Sequence, residues 1–161
     1  MKTPETIAFS APYVLIQGTY LVRQDSPMRG FGDFDRPGLK IAVGLKSAYD
    51  LHLSRVLKNA ELVRYPTSQA AIDAFVAGQD GLGAAAGVRQ ALAVAARKDS
   101  RFRVIDGAYM SIDQAAGVPK SRPQASRYLN DFVEEMKASG FVARKLAEGG
   151  NADATVAPAA R

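Results

Sequence analysis

The sequence predicts an α/β fold of three layers: a mostly parallel sheet with helices on both faces, followed by C-terminal helices. Three observations support this prediction. Short apolar segments alternate with amphipathic, helix-type segments between residues 40 and 106. The connections between them are short, as in right-handed βαβ units. The hydrophobic fraction of the 161 residues is 47%, which is enough for a substantial core.

The alternating region contains four predicted strands and three predicted helices. The strands are expected near residues 40–44, 60–65, 82–86 and 102–106. The helices are expected over about residues 47–58, 67–77 and 88–98. The first helix carries an apolar stripe at helical spacing, formed by Tyr49, Leu53, Val56 and Leu57. Gly78 follows the second helix and is expected to end it.

Two further extended segments flank this region, at residues 14–22 and 110–118. The segment between 24 and 38 is predicted to be a loop with a short turn of helix near Phe34. Ser121 and Gln124 have the spacing of a capping box, which predicts a helix to about residue 139. A shorter helix over 141–147 and a patternless, Ala-rich tail follow.

Composition argues against several classes of site. The chain has no cysteine, which excludes a disulfide framework and a thiol nucleophile. His52 is the single histidine, so we expect neither a zinc site nor, without a nucleotide-binding fingerprint, any cofactor. The net charge is +5, but the basic residues are dispersed among acidic ones, which does not favour nucleic-acid binding.

The sequence lacks the long apolar segments that membrane helices and secretory signals require. No run approaches the ~18 consecutive apolar residues of a membrane helix, so no stable membrane insertion is expected. The first residues, Met1 to Glu5, are not followed by the apolar stretch of a secretory signal. We therefore expect no signal peptide in this chain.

Three segments, taken in order, form a recognisable pattern. The first is IAFSAPY at residues 7–13, followed by YLVR at 20–23. The second is GLKIAV at 38–43, leading to KSAYD at 46–50. The third is AGVPK at 116–120, followed by the segments 129–135 and 139–141. Together they resemble the bacterial extracellular solute-binding protein family 3, the substrate-binding components of polar amino acid ABC importers. The resemblance covers about residues 3 to 148 and begins partway through the family pattern, which implies an N-terminally truncated member.

The resemblance implies a domain organisation. In this family two α/β lobes close on a ligand across hinge strands. Residues 1–22 would form the first crossover segment, and 23–110 the ligand-binding lobe of the periplasmic-binding-protein type II kind. Residues 111–148 would hold the return crossover and the C-terminal helices of an incomplete first lobe, and 149–161 a flexible tail.

The segment Lys46-Ser47-Ala48 is the first candidate for ligand contact. It lies between the end of a predicted strand and the start of a helix, where backbone N–H groups and the helix dipole favour an anion. The resembled family holds a ligand carboxylate here with a Gly-Ser or Gly-Thr pair, and Lys46 occupies the Gly position. The alternative interpretation is that Ser47 is only an N-cap.

Two positions depart from the family pattern. Thr19 stands where many amino-acid-binding members carry an arginine for the α-carboxylate, and threonine cannot form that bidentate pair. Val88 stands where many members have an aspartate for the α-amino group. These departures argue against an ordinary α-amino acid as the ligand. Arg89, at a predicted helix start, is either a contact for an anionic ligand or a solvated surface cation.

Two residues of the crossover segments complete the candidate binding set. Tyr13 matches the family's hinge aromatic, which either stacks on the ligand or packs beside the hinge. Gln114 lies on the return crossover and is a weaker candidate for ligand contact. His52, on the helix after Ser47, is expected to be a surface or boundary residue.

The resemblance implies a periplasmic solute-binding component that holds a small polar or anionic ligand for an ABC transporter permease, and that is not an enzyme. Two alternatives remain open: a small α/β enzyme of the dehydratase type related to these binding proteins, and an effector-binding domain of a regulator. The first needs an acid and a base facing one cleft, and no matched pair stands out in the sequence.

The sequence also predicts self-association. The helix over 124–139 has one apolar face, and in a complete family member that face packs against the first lobe. We expect it to lie open here and to drive a homodimer. The face comprises Tyr128, Leu129, Phe132, Val133 and Met136.

Overall fold

The computed structural model describes residues 6–151 and 154–160, which form strands, α-helices and two short 3-10 helices. The strands are β1 (Ile7–Phe9), β2 (Val14–Arg23), β3 (Lys40–Gly44), β4 (Glu61–Tyr65), β5 (Ala84–Val88), β6 (Phe102–Val104), β7 (Met110–Gln114), β8 (Gly117–Pro119) and β9 (Thr155–Val156). The α-helices are α1 (Ala48–Val56), α2 (Ser68–Val76), α3 (Arg89–Lys98), α4 (Pro123–Ala138) and α5 (Phe141–Glu148). The 3-10 helices are Phe31–Phe34 and Gln79–Gly81.

The chain divides into two compact units. The first, which we call the α/β unit, comprises Gln17–Ser111. The second, the terminal unit, comprises Met1–Ile16 together with Ile112–Arg161. The boundaries fall inside β2 and β7. The α/β unit therefore begins at Gln17, within the first extended segment, whereas the start of the lobe was expected at residue 23.

The sheet of the α/β unit has the strand order β4-β3-β5-β2-β6. β3 pairs in parallel with both β4 and β5. β2 pairs antiparallel with both β5 and β6, so β6 runs in the same direction as β5. The four strands predicted between residues 40 and 106 therefore all run one way, which confirms the mostly parallel sheet. The antiparallel strand inserted between β5 and β6 was not anticipated.

Helices cover both faces of this sheet. On one face the strands pack against α2 and α3 in a single buried cluster, which contains Leu21, Ala42, Ala85, Ile72, Phe75 and Leu92. On the other face the Tyr20 ring stacks on Phe34 with centroids 3.8 Å apart, and Gly18 lies against the Tyr49 ring of α1. Each fully buried Leu, Ile or Phe contributes about 1.5–3 kcal/mol to the core.

Small residues let α2 approach the sheet closely. Ala85 of β5 is fully buried in the same cluster as Ile72 and Phe75 of α2. At the end of β3, a Cβ added to Gly44 would lie 2.6 Å from the backbone N of Ser68. The start of α2 thus sits on a position where the chain has no side chain.

The terminal unit holds an antiparallel β1–β8 pair and the helices α4 and α5. The sequence predicted a flexible tail from residue 149. Instead, β9 pairs with the first residues of β2, and the buried Ala157 donates its N–H to the Tyr13 carbonyl at 3.1 Å. β9 has only two residues, which is too short for the alternating pattern by which a strand is predicted from sequence. Residues 152, 153 and 161 of that tail, and 1–5 of the predicted first crossover, lie outside the described residues.

Helix α4 corrects two predictions. It begins at Pro123 with Arg122 as N-cap and no side-chain cap, so the predicted capping box is wrong. Proline suits the first helical position because its fixed φ matches the helix and no N–H needs an acceptor there. The apolar face is not fully open: Val133 is buried, whereas Tyr128 and Phe132 expose 73% and 44% of their surface.

The close approach at Gly44 generates a stability prediction. Gly44→Ala is expected to lower the free energy of unfolding by about 1–3 kcal/mol, because the new methyl group overpacks against the Ser68 backbone. Urea unfolding followed by circular dichroism measures it. Gly32→Ala is the matched control, since nothing lies within 4 Å of its added Cβ. Equal stability of the two variants would contradict the packing account.

Candidate ligand-binding site

The carboxyl ends of β3, β4, β5 and β6 meet at one edge of the sheet, which we call the carboxyl edge. Ligands of open α/β sheets bind at this edge, where the loops that follow the strands gather. The loop after β3 carries Lys46 and Ser47, and α3 begins directly after β5 at Arg89. Because β2 runs the opposite way, its residues Gln17 and Gly18 also reach the carboxyl edge.

The loop after β3 is held in a tight turn. The Leu45 N–H donates to the Tyr65 carbonyl at 2.8 Å, and the Ser47 N–H donates to the Gly44 carbonyl at 3.1 Å. Lys46 lies in the left-handed region with φ +58°, which glycine adopts without strain and lysine does not. Lys46, at the position where the resembled family has glycine, therefore adopts a backbone conformation that glycine takes more easily.

Ser47 is the N-cap of α1. Its hydroxyl accepts the Asp50 N–H at 3.1 Å, and the Asp50 carboxylate accepts the Lys46 N–H at 2.8 Å. The two side chain–backbone bonds lock the loop to the first turn of the helix. The capping interpretation of Ser47 is thus confirmed, while its contact with a ligand stays a prediction.

Asp50 is the buried charge of this edge, with 4% of its surface exposed. Its Oδ1 accepts Arg64 Nε at 2.9 Å and the Ser54 hydroxyl at 3.1 Å, and Arg64 Nη2 also donates to Ser54 Oγ at 2.9 Å. Burial would raise the pKa of Asp50, but the hydrogen bonds from Lys46 and Ser54, together with the Arg64 charge, hold it below its usual value. Sequence reasoning missed this carboxylate; the Ser47-x-x-Asp50 spacing was the available signal.

The network leaves donors for an anion. Arg64 neutralises Asp50, so the negative charge beside the helix start is compensated. Within the described residues, the Ala48 and Tyr49 N–H groups make no hydrogen bond and the exposed Lys46 ammonium has no carboxylate partner. The start of α1 therefore presents unsatisfied N–H groups next to a free cation.

Arg89 is tied to neutral acceptors. Its Nε donates to Gln17 Oε1 at 3.0 Å, and its Nη2 donates to the carbonyls of Ile105, at 3.4 Å, and Gly107. In the described part of the chain no carboxylate pairs with it. The side chain is half-buried, so it is neither a simple solvated cation nor neutralised by an acid.

Thr19 lies inside the sheet rather than at its surface. It is fully buried, and its hydroxyl donates to the Ile105 carbonyl at 2.9 Å, the same carbonyl that Arg89 reaches. The structure thus brings Thr19 and Arg89 together around Ile105. Ligand contact by Thr19 stays a prediction, and its hydroxyl already donates to a backbone carbonyl.

The remaining candidates lie elsewhere. Tyr13 and Gln114 belong to the terminal unit and are adjacent, because the Tyr13 N–H donates to the Gln114 carbonyl at 2.9 Å. Both are half-buried. His52 is half-buried and stacks on Tyr109 with ring centroids 5.8 Å apart. Burial raises the pKa of the Tyr109 phenol, whose oxygen has no partner among the described residues.

Metal sites and membrane-spanning helices are both absent from residues 6–151 and 154–160. No group of three or more His, Cys, Asp or Glu side chains is arranged to hold a metal ion there. No helix in the same residues is long and apolar enough to cross a membrane.

The Asp50 network generates a pH-dependent prediction. Because the folded pKa lies below the unfolded value of about 3.9, Asp50 stabilises the fold above that value and loses this contribution as pH falls through the folded pKa. Asp50→Asn should cost about 1–2 kcal/mol at pH 7, since a charge-assisted bond to a partly exposed arginine is lost.

Urea unfolding at pH 7 and between pH 4 and 2 measures this effect. The difference between wild type and Asp50→Asn should shrink as the pH falls. Asp131→Asn, at an exposed position, is the control for a change of charge alone. A difference that stays constant across the pH range would show that the ion pair does not stabilise the fold.

Comparisons with solved structures agree with this architecture. The ancestral cationic amino acid solute binding protein is 25% identical over 92% of this chain and 65% of its own, with a TM-score of 0.71. A putative binding component of an ABC transporter from Wolinella succinogenes, complexed with lysine, is 18% identical over 88% and 62%, with a TM-score of 0.74. A second structure that bears the name of the same ancestral protein, described as a precursor of cyclohexadienyl dehydratase, is 22% identical over 91% and 64%, with a TM-score of 0.68.

These matches concern most of this chain but only part of each solved protein, since the chain spans 62–65% of their lengths. No protein-family model matches the sequence, and no curated protein does. The resemblance found in the sequence is nevertheless confirmed at the level of the fold: the chain has the fold of the amino-acid-binding solute receptors of ABC transporters.

Proposed function

We propose that this chain is the ligand-holding part of a solute-binding component of an ABC importer. Its carboxyl edge binds a small polar or anionic molecule, which is passed to a membrane permease, and the protein works in the periplasm as a binder rather than an enzyme. The observation that supports this proposal best is the start of α1, where free N–H groups and Lys46 follow β3 in a receptor-type fold.

An anion fits the start of α1 for electrostatic reasons. The N–H groups of Ala48 and Tyr49 carry the positive end of the helix dipole. The Asp50–Arg64 pair is neutral as a whole, so it rigidifies the loop without opposing a negative ligand. Lys46 adds one flexible positive charge that can close over the anion.

The surroundings favour a ligand without a zwitterionic head. Thr19 is buried and engaged with Ile105, and Val88 offers no carboxylate for an α-amino group. Arg89 retains its positive charge because all its acceptors are neutral. We therefore propose that an organic acid is preferred over the lysine that the Wolinella succinogenes protein holds.

The dehydratase alternative is less well supported. A solved neighbour is described as a precursor of cyclohexadienyl dehydratase. Dehydration needs a general acid and a general base that both reach the substrate. Asp50 is almost fully buried and ion-paired, so it is a poor candidate for either role.

Calorimetric titration with matched organic acids and α-amino acids tests the ligand proposal. We expect saturable binding of an organic acid and no tighter binding of lysine or arginine. Ser47→Ala combined with Lys46→Ala should weaken binding about tenfold or more, since it removes a charge and loosens the helix start. Lys58→Ala, beyond the opposite end of α1, should leave the affinity unchanged.

Tight binding of ordinary α-amino acids would contradict the ligand class while leaving a binding function intact. Binding that is equally insensitive to both variants would contradict the site. Turnover of a hydroxy acid to an alkene product, detected by absorbance, would instead support the dehydratase alternative.

We also propose that the chain forms a homodimer through the terminal unit. Tyr128 and Phe132 of α4 are exposed and stacked on each other, with ring centroids 6.4 Å apart. Phe9 and Phe141 of the same unit are 55% and 39% exposed. Exposed aromatic side chains grouped in one unit are typical of surfaces that bury themselves against a partner.

Light scattering at micromolar concentration tests the association. We expect a dimer that Phe132→Asp dissociates, because a carboxylate buried without a partner strongly disfavours the interface. Val94→Asp, at an exposed apolar position of α3 in the other unit, is the control and should leave the dimer intact. A monomer of 17.2 kDa in the wild type would refute the proposal.

A further inference from the structure

Two arginines converge on one turn at the edge of the sheet opposite the carboxyl edge. This amino edge holds the end of β2 and the start of β6, which pair as Val22 with Arg103 and Arg23 with Phe102. The chain then turns through Ser26 and Met28, which are both buried. Neither the proposed ligand site nor the sheet's own pairing uses the side chains that gather here.

Arg29 and Arg103 share their acceptors. Arg29 Nη1 donates to the Ser26 carbonyl at 2.5 Å and to the Met28 carbonyl at 3.1 Å. Arg103 Nη2 donates to the same two carbonyls, at 3.0 Å and 2.6 Å. Because Arg29 Nη1 and Arg103 Nη2 both donate to Ser26 O, at 2.5 Å and 3.0 Å, the two nitrogen atoms are at most about 5.5 Å apart.

Neither charge is held in an ion pair within the part of the chain that the structure describes. In the described residues neither guanidinium has a carboxylate within 4 Å, whereas the neighbouring Arg23 and Arg101 pair with Asp25 and Asp99. Asp33 is nearby: its carboxylate accepts the backbone N–H groups of Arg29 and Gly30, and its charge acts on Arg29 and Arg36 without forming an ion pair with Arg29. Asp106 acts on Arg103 only from a greater distance.

Keeping two positive charges side by side is unfavourable without a compensating anion. Burial, and then the neighbouring Arg29, lower the pKa of Arg103, while Asp106 raises it. A glutamine could satisfy the same carbonyls without repulsion, so hydrogen bonding does not explain two full charges. Each guanidinium has five N–H donors, and the bonds to the two carbonyls leave several of them available on each.

We propose that Arg29 and Arg103 form a second anion site that takes a phosphate-type oxyanion. A tetrahedral anion with several oxygens can accept from two guanidinium groups at once, and each such bond is charge-assisted. The anion is either free phosphate or the phosphate of a lipid headgroup. The site lies at the amino edge and does not depend on the ligand proposed for the carboxyl edge.

Calorimetric titration of inorganic phosphate against the full chain, with ionic strength held constant by sodium chloride, tests this proposal. We expect saturable binding that Arg29→Gln weakens about tenfold, since one charge-assisted contact is lost. Arg29→Gln with Arg103→Gln should abolish it. Arg23→Gln with Arg101→Gln removes the same charge from acid-paired arginines and should leave the affinity unchanged.

Co-sedimentation distinguishes the two sources. Vesicles of phosphatidylcholine alone and with phosphatidic acid are compared, with and without competing phosphate. Phosphate binding without vesicle binding assigns free phosphate, and vesicle binding that requires both arginines assigns the lipid headgroup. Absence of both, or equal losses in the two double variants, would overturn the proposal. Circular dichroism shows whether each variant is folded. If the double variant unfolds, the single variant Arg29→Gln, at an exposed position, still tests the proposal.

Discussion

Strand β2 is the constraint on which the α/β unit depends. It lies between β5 and β6 and runs against both, so its backbone is paired on two sides. Its residues Thr19 to Val22 expose 0–2% of their surface. At Gly18 an added Cβ would meet the Tyr49 ring at 2.8 Å and Met110 at 2.9 Å, so the strand fits only because this position lacks a side chain. Within the described residues β6 joins the sheet through β2, and β2 reaches the carboxyl edge at Gly18 and the amino edge at Arg23.

Much of this fold was predictable because burial imposes simple patterns on sequence. The strands near Ile41 and Ala85 and the helices that follow them were expected from apolar runs and helical spacing. The direction of β2 was not, because an apolar segment pairs equally well in either direction and only tertiary contacts decide. The start of α4 was misplaced for a related reason. Ser121 and Gln124 match a capping box, but Pro123 already satisfies the first helical position without a side-chain cap.

The candidate site was predictable only in part. A strand followed by a helix start places Ser47 at the carboxyl edge, and this follows from sequence order alone. The role of Asp50 depends on Arg64, which lies on β4 and reaches it through the fold. The left-handed backbone of Lys46 is likewise invisible in sequence, since lysine does not signal it as glycine would. Contacts between distant residues, rather than local propensity, decide which charges of this edge are neutralised.

Contacts between distant residues also decide where the net charge of +5 is left uncompensated. Acidic side chains neutralise Arg23, Arg64 and Arg101 directly. Arg29, Arg89 and Arg103 donate to carbonyl or amide oxygens, which satisfy N–H groups but leave the charge in place. Salt screens an exposed charge beyond about 8–10 Å. The uncompensated arginines of one sheet edge therefore act on that edge and little on the opposite one. Because neutral acceptors already hold these guanidinium groups in position, an incoming anion gains their charge with little further loss of side-chain freedom.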